Sequence, residues 1–477
     1  MEDHNEKVAS PLLKQFRENF GIFGGISLLF GIGFAILFYK AGAGLNTLLI
    51  TLLILCLLFL GCRKLSLTVK KGTKFYFLGA FLLAVSTVLT SSGTLQFLNI
   101  IAILILLDLS MLHQFYESRE WDFLKHFLKM LGMPFRAIGS IGLPFIDFTA
   151  FLQKTSVFKN DKVRNVFLGV LISIPFLWMV TALLANADMV FSKLTNQILD
   201  VFVSTDIIGV LLMVFAGFLI CYCVFAAAVS NVGLEEKRFW KKAEASIAAT
   251  VLLVLTIVYA LFCGIQIIYL FAKGVFELPE GFTYAEYARQ GFFELLFVAM
   301  LNVALIVICR ALFENSKVLQ IVKICMTVCT YVLIISATCR MLLYISAYHL
   351  TFLRMFVLLS LFIVTLILTG VLISEFRPAF PLFQYFVVVI AVCYTAFSFS
   401  KPDYIIASYR LEQEELDQED LFYLTHDLSL DAAPLVLPVA KNTYDYINKI
   451  ENVTKNMEVR DFNLSSYLAN QELKKYK

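Results

Sequence analysis

Long apolar runs separated by short polar connections dominate the chain, and a helix that crosses a bilayer needs roughly 20 such residues. Four runs, Gly21–Tyr39, Leu45–Cys62, Phe75–Thr90 and Leu95–Leu112, come first in two close pairs. Seven more lie at Asn165–Leu184, Ile207–Val229, Ile247–Phe271, Gly291–Leu312, Ile321–Tyr344, Phe352–Ile373 and Pro381–Phe397. Backbone groups in hydrocarbon must be hydrogen-bonded within their own segment. The runs therefore predict an all-α polytopic integral membrane helical bundle of about eleven spans.

Two stretches break the pattern. His113–Lys162 is basic, and within it Trp121, Phe123, Leu124, Phe127, Leu128 and Leu131 recur at helical spacing against Lys125, His126 and Lys129. That is the signature of a helix lying in the membrane interface, here expected as a surface-lying linker between two bundles, with Gly139–Phe145 punctuating it like a loop. From Ser400 onward, 14 acidic against nine basic side chains mark a soluble tail. Helical patterns at Asp403–Glu412, Gln418–His426, Asp431–Lys441 and Tyr444–Lys455 predict a small helical cap, with Phe422, Tyr423 and Leu424 beside Leu428 and Leu430 as its apolar face. Four regions follow: a four-span bundle (1–112), a basic amphipathic linker (113–164), a seven-span core (165–399) and the acidic helical tail (400–477).

Composition agrees with a membrane solvent. Hydrophobic residues make up 60% of the chain and charged residues 16%, where soluble domains average about 45–50% and about 25%. A net charge of +3 without a basic, aromatic-interleaved patch excludes a nucleic-acid partner. The ten cysteines fall in or at the edge of apolar runs and read as buried free thiols. Gly21–Tyr39 is longer than the apolar region of a cleaved signal and leads straight into a second run, so it reads as a retained first span.

Charge also orients the bundle, because Lys and Arg near spans stay on the cytoplasmic side. The N-terminus and the connections after the second, fourth, sixth, eighth and tenth runs hold about 3, 5, 8, 4, 3 and 1 of them, and the alternate connections about 1, 0, 1, 2 and 0. This places the N-terminus in the cytoplasm and, with an odd number of spans, the tail outside.

Ionisable groups at membrane depth cost about 2.5–3.5 kcal/mol each and face an interior or a water-filled cavity. Asp188, Gln266, Glu294, Arg340, Tyr344 and Arg354 come from different runs yet share the outer depth, with Glu294 expected to pair with Arg340 or Arg354. Just before them, TYAEYARQGFFELL at Thr283–Leu296 reads as a surface helix turning into a span. Thr283 and Glu286 form a capping box, while Tyr284, Tyr287 and Arg289 add to the rim of the polar site. No phosphate loop, dinucleotide fingerprint, HExxH or CxxC occurs, and the five His are scattered, so neither a cofactor nor a metal is expected.

The runs TYAEYARQGFFELL, RMLLYISAYHLTFLR (Arg340–Arg354), LLANADMVF (Leu183–Phe191), KPDYIIASYRLE (Lys401–Glu412), DLSLDAAPLV (Asp427–Val436) and DFNLS (Asp461–Ser465) resemble bacterial polytopic membrane proteins grouped as domains of unknown function 4173 and 4153. The resemblance extends from Leu183 to the C-terminus; the first four spans match only in hydropathy. It departs at His349, where Gly is usual, and at Phe462, where Trp is usual. It implies a bacterial plasma membrane and a shared architecture, and no particular activity.

Two functions are thus expected. One is a transporter or a lipid or envelope-precursor handling protein, in contact with membrane lipids, whose outward cationic pocket takes an anionic small molecule or headgroup. The other is a sensory or assembly scaffold that binds a protein partner through its tail. An intramembrane enzyme has the least support, since no nucleophile or metal set can be argued from spacing.

Overall fold

The computed structural model describes residues 10–117, 121–153, 161–202, 205–230, 232, 242–267, 291–412, 416–440 and 443–476. Helix α1 (Pro11–Glu18) opens on Ser10, whose Oγ accepts from Leu13 N at 3.1 Å, and Pro11 fills a first-turn position that needs no N–H. The α1 apolar face buries Phe16 completely against Phe23 and Tyr222. Helices α2 (Phe20–Phe38), α3 (Leu45–Lys64), α4 (Lys71–Leu89) and α5 (Gly93–Phe115) then run up and down as the first four spans.

The basic segment forms α6 (Phe123–Gly139) and α7 (Leu143–Gln153), bent by 50° at the glycine-containing turn between them. Neither is a detached linker. Phe123 packs edge-on against Phe383 and Phe386, and His126 and Met133 are buried. Asp147 of α7 takes Arg17 Nε and the Tyr222 hydroxyl, each at 2.7 Å. Phe127, Leu128 and Leu131 are exposed on one face, while the other face ties the two halves of the bundle together. The expected linker is a girdle across the α1 end because its second apolar stripe finds protein.

Helices α8 (Asp161–Ala187), α9 (Met189–Phe202) and α10 (Thr205–Val229) follow. Helix α10 lies antiparallel to α2 with backbones touching: a Cβ added to Gly31 would fall 2.3 Å from Val214 O, the close approach that small residues permit in lipid. At one end of this pair Asp206 meets Lys40 Nζ at 2.6 Å and the Tyr39 hydroxyl at 3.0 Å; at the other the Ser10 hydroxyl donates to Val229 O.

The C-terminal half is α11 (Ala245–Gln266), α12 (Phe292–Leu312), α13 (Lys317–Tyr348), α14 (Phe352–Phe376) and α15 (Leu382–Phe399). Its α1 end is laced by Arg310, which donates to Ser374 O at 2.7 Å and Pro378 O at 2.9 Å, and by the Lys323–Glu375 ion pair at 2.6 Å. Among the described residues ten helices are long and apolar enough to cross a membrane, and the bent α6–α7 pair would be an eleventh by composition. That pair begins and ends at the α1 end, where Phe151 packs on Gly21 and Phe20. The 27-residue α8 contains the expected run Asn165–Leu184. The chain is a multi-pass membrane protein, and its tail emerges at the end opposite α1.

The tail folds as a cap of α16 (Pro402–Leu411), α17 (Gln418–Phe422) prolonged by a π turn at Tyr423–Asp427, a 3-10 turn at Leu430–Ala432 leading into α18 (Ala433–Ala440), α19 (Tyr444–Lys455) and an unexpected α20 (Leu464–Lys475). Leu424, Leu428, Leu430, Val436, Tyr446 and Ile450 form its core. Phe422 does not join them: it is 58% exposed and stacks on His426 at 4.2 Å.

Candidate functional site

The cap and the bundle meet through backbone ends that each would otherwise leave unsatisfied. The first N–H groups of α3 have no partners within their helix; Leu45 N donates to Phe462 O at 3.0 Å and Asn46 N to Arg460 O at 2.7 Å. The last carbonyls of α4 are met in turn by Asn463 Nδ2 on Thr87 O and Thr90 O, and by Ser465 Oγ on Leu89 O at 2.8 Å. Asp431, 3% exposed, accepts from the Thr90 hydroxyl, from Ser91 N at 2.7 Å and from Ser91 Oγ at 2.9 Å. Below them Asn99 accepts from the Tyr394 and Ser398 hydroxyls, both at 2.8 Å, and donates to Thr87 Oγ1 at 3.2 Å. Every buried polar atom of Asp431, Asn463 and Asn99 has a partner, which makes this seam structural.

On the other half the expected polar site is brought together in part. Gln266 and Arg340 are buried, 3% and 7% exposed, and Gln266 Oε1 accepts from Arg340 Nη2 at 3.0 Å and from Ser336 Oγ at 2.6 Å. One turn on, Tyr344 stacks on Phe292 and lies 4.1 Å beneath the Arg354 guanidinium. Arg354 Nη1 donates to the carbonyls of Tyr348 and His349, clamping the turn that closes α13. In that turn His349 has φ +63 and ψ 169, a region essentially reserved for glycine. A glycine would adopt this conformation without the strain a Cβ brings.

The other expected members separate. Glu294 is exposed and pairs with neither arginine: the first turn of α12 points it away from the α12–α13 contact. Asp188 is exposed too, and its carboxylate caps α9 by accepting from Phe191 N at 2.6 Å. Tyr284, Tyr287, Arg289, Thr283 and Glu286 lie outside the described residues.

Sequence reading missed a buried polar lane on α13. Lys323, Thr327, Thr330, Ser336 and Arg340 are all 7% exposed or less, and at 1.5 Å per residue they span about 26 Å, close to the hydrocarbon thickness. Halfway along, Asn302 of α12 is fully buried, donates to Thr330 Oγ1 at 3.0 Å and leaves its Oδ1 without a partner. At the α1 end Glu375 Oε2 pairs with Lys323 while Oε1 is buried and unpartnered. Such atoms cost about 1–3 kcal/mol each. The one available signal was Lys323 itself, a cation two residues inside an apolar run.

The family comparison bears on all of this. A profile described as Domain of unknown function (DUF4153) matches residues 77–438. The chain belongs to the DUF4153 family. The DUF4153 match starts inside α4, so it reaches further toward the N-terminus than the resemblance from Leu183, and it ends within α18, before Asp461–Ser465. It therefore includes the whole α13 lane and Asp431. No curated protein and no solved structure matches the chain.

Proposed function

We propose that this protein moves or handles a hydrophilic anionic solute or lipid headgroup, with α13 as the element along which it passes. The observation that carries the reading is the lane itself: buried polar side chains from Lys323 to Arg340, with a cation at each end. Asn302 Oδ1 and Glu375 Oε1 beside it have no protein partner; as acceptors they suit the water that accompanies a hydrophilic solute, while the anion preference rests on the cations. Met326, Leu333 and Met341, buried alongside, close the lane in this conformation, so passage requires α13 to part from α11 or α12.

Anion preference is supported by the cap-side mouth. Helix α12 starts at Gly291 with φ +92 and no side-chain cap, and Arg340 Nη1 stands 3.0 Å from where a Cβ on Gly291 would be. A guanidinium beside the positive end of a 21-residue helix makes a place where negative charge is favoured. The basic loops at the α1 end support a cytoplasmic N-terminus and an external cap in a bacterial plasma membrane. The scaffold reading gains less, since the tail is bonded into α3 and α4 and is not a free arm.

The test is a thermal melt of the purified full chain in sodium phosphate and in sodium chloride at equal ionic strength. Phosphate should raise the midpoint saturably. Arg340→Ala should abolish that rise at unchanged membrane abundance, and Asp188→Asn should keep it. Identical melts in the two salts, or loss of abundance in Arg340→Ala, would overturn the anion site.

A further inference from the structure

Helix α6 presents three faces. One is buried through His126, Met133 and Ala137. A second is an exposed apolar stripe of Phe127, Leu128, Leu131, Phe135 and Ile138, the last two 75% and 67% exposed. The third carries Lys125, Lys129 and Arg136, which recur at helical spacing. These cations gather on two aromatic rings at the start of the helix. Lys125 and Lys129 stand 5.1 and 5.9 Å over Trp121, Lys129 and Arg136 stand 6.0 and 5.9 Å over Tyr116, and the two rings are 5.6 Å apart. Lys70, from the connection between α3 and α4, adds a fourth cation by donating to Tyr116 O at 2.8 Å.

Two of the four are bonded to oxygens without a full charge: Lys70 to the Tyr116 carbonyl, Arg136 to the Tyr116 hydroxyl and to Lys129 O. Asp108 acts on Arg136, and Glu117 on Lys70, only from a distance; among the described residues neither forms an ion pair with them. Four like charges on one aromatic patch repel one another, and an anion lying among them lowers that energy. Gly132 supplies the space. It falls on the arc of α6 between Lys129 and Arg136 on one side and Leu128 and Phe135 on the other, and a Cβ added there would meet nothing within 4 Å. Glycine inside a helix destabilises it relative to alanine, and no packing among the described residues requires it here. Cations, an open notch and an exposed apolar stripe, in that order around one helix, match an amphiphile with a negative head.

We propose that this side of α6 binds an anionic phospholipid of the leaflet at the α1 end, its phosphodiester at Gly132 among the cations and its acyl chains along the apolar stripe. The site is independent of the α13 lane and stands or falls apart from it. Because α6 joins the two halves through Phe123 on Phe383 and Phe386, a lipid seated there braces the junction, and binding reads out as stability. The probes are phosphatidylglycerol, phosphatidylcholine and water-soluble glycerol 3-phosphate, added to the detergent-purified full chain and followed by thermal melting and native mass spectrometry. Phosphatidylglycerol should raise the midpoint saturably and stay bound in the mass spectrum, where the other two do not. Lys125→Gln combined with Lys129→Gln should raise the half-saturating lipid about tenfold or more. Gly132→Leu separates binding from folding: a better helix former in open space should keep or raise the lipid-free midpoint and abolish the response to phosphatidylglycerol. Arg63→Gln combined with Lys64→Gln, exposed cations in the last turn of α3, should leave that response unchanged. Equal stabilisation by phosphatidylcholine or by glycerol 3-phosphate, a phosphatidylglycerol response unchanged in both α6 variants, or an equal loss of it in the α3 variant overturns the proposal.

Discussion

Two sets of buried polar side chains, the seam beneath the cap and the lane on α13, complete their hydrogen bonding to different degrees. In the N-terminal half the seam beneath the cap is closed: Asp431, Asn463 and Asn99 have partners for every buried polar atom, drawn from α4, α5, α15 and the cap. In the C-terminal half, α13 carries its polar residues from one end to the other, and Asn302 and Glu375 beside it keep acceptors that nothing meets. Burial of polarity is therefore not the useful distinction. What separates a weld from a pathway is whether the hydrogen bonding closes on itself.

The largest effect should come from opening the weld. Asp431→Ala strands the Thr90 hydroxyl and the Ser91 N–H together, and hydrogen bonds to charged groups are worth about 1.5–3 kcal/mol each. A loss on the order of 3 kcal/mol is expected, read as a lower melting midpoint and rapid proteolysis of the cap; an unchanged midpoint would break the contrast.

Next comes one substitution made in both places. Asn99→Leu removes the acceptor of two hydroxyls and should destabilise by about 2 kcal/mol. Asn302→Leu removes the unpartnered Oδ1 together with the donor to Thr330 Oγ1, whose hydroxyl still donates to Met326 O, and should change stability by no more than about 1 kcal/mol, while sealing the proposed lane. Equal destabilisation by the two would mean that Asn302 is as well satisfied as Asn99.

Much of this fold could be read in advance, and the reasons are local. Apolar runs set the helix positions, so the expected Leu45–Cys62, Gly291–Leu312 and Phe352–Ile373 differ from α3, α12 and α14 by three residues or fewer at either end. Helix α13 overran its expected limits by four residues at each end, Lys317–Tyr348 against Ile321–Tyr344; at its start the Ser316 hydroxyl caps it by accepting from Leu319 N, so the helix begins in the polar connection before the apolar run. Pairings across helices were not legible. Glu294 was matched to an arginine by depth alone, and depth says nothing about which face of a helix a residue occupies. Asp403, Asp431 and Asp461 lay in a stretch read correctly as helical and acidic, yet nothing in their spacing announced that the cap would fold back on α3 and α4.

A smaller effect sharpens the comparison at the lane's mouth. His349→Gly relieves a backbone conformation that costs about 1 kcal/mol or more in a residue with a Cβ. The midpoint should rise by a corresponding few degrees while phosphate stabilisation persists, since Arg340 is untouched; a fall would mean that the His349 ring itself has a role in the turn.

The central claim, that the α13 lane admits water and solute while the seam does not, is tested most directly by thiol accessibility. In a background with the ten native cysteines replaced, Ser336→Cys and Thr330→Cys on the lane, Ile335→Cys on the 50%-exposed lipid face and Ser86→Cys in the seam would be treated with a charged, membrane-impermeant thiol reagent. Reaction at Ser336 and Thr330, with none at Ile335 or Ser86, is the predicted result. Silence at both lane positions from either side of the membrane, in a protein that folds, would contradict it.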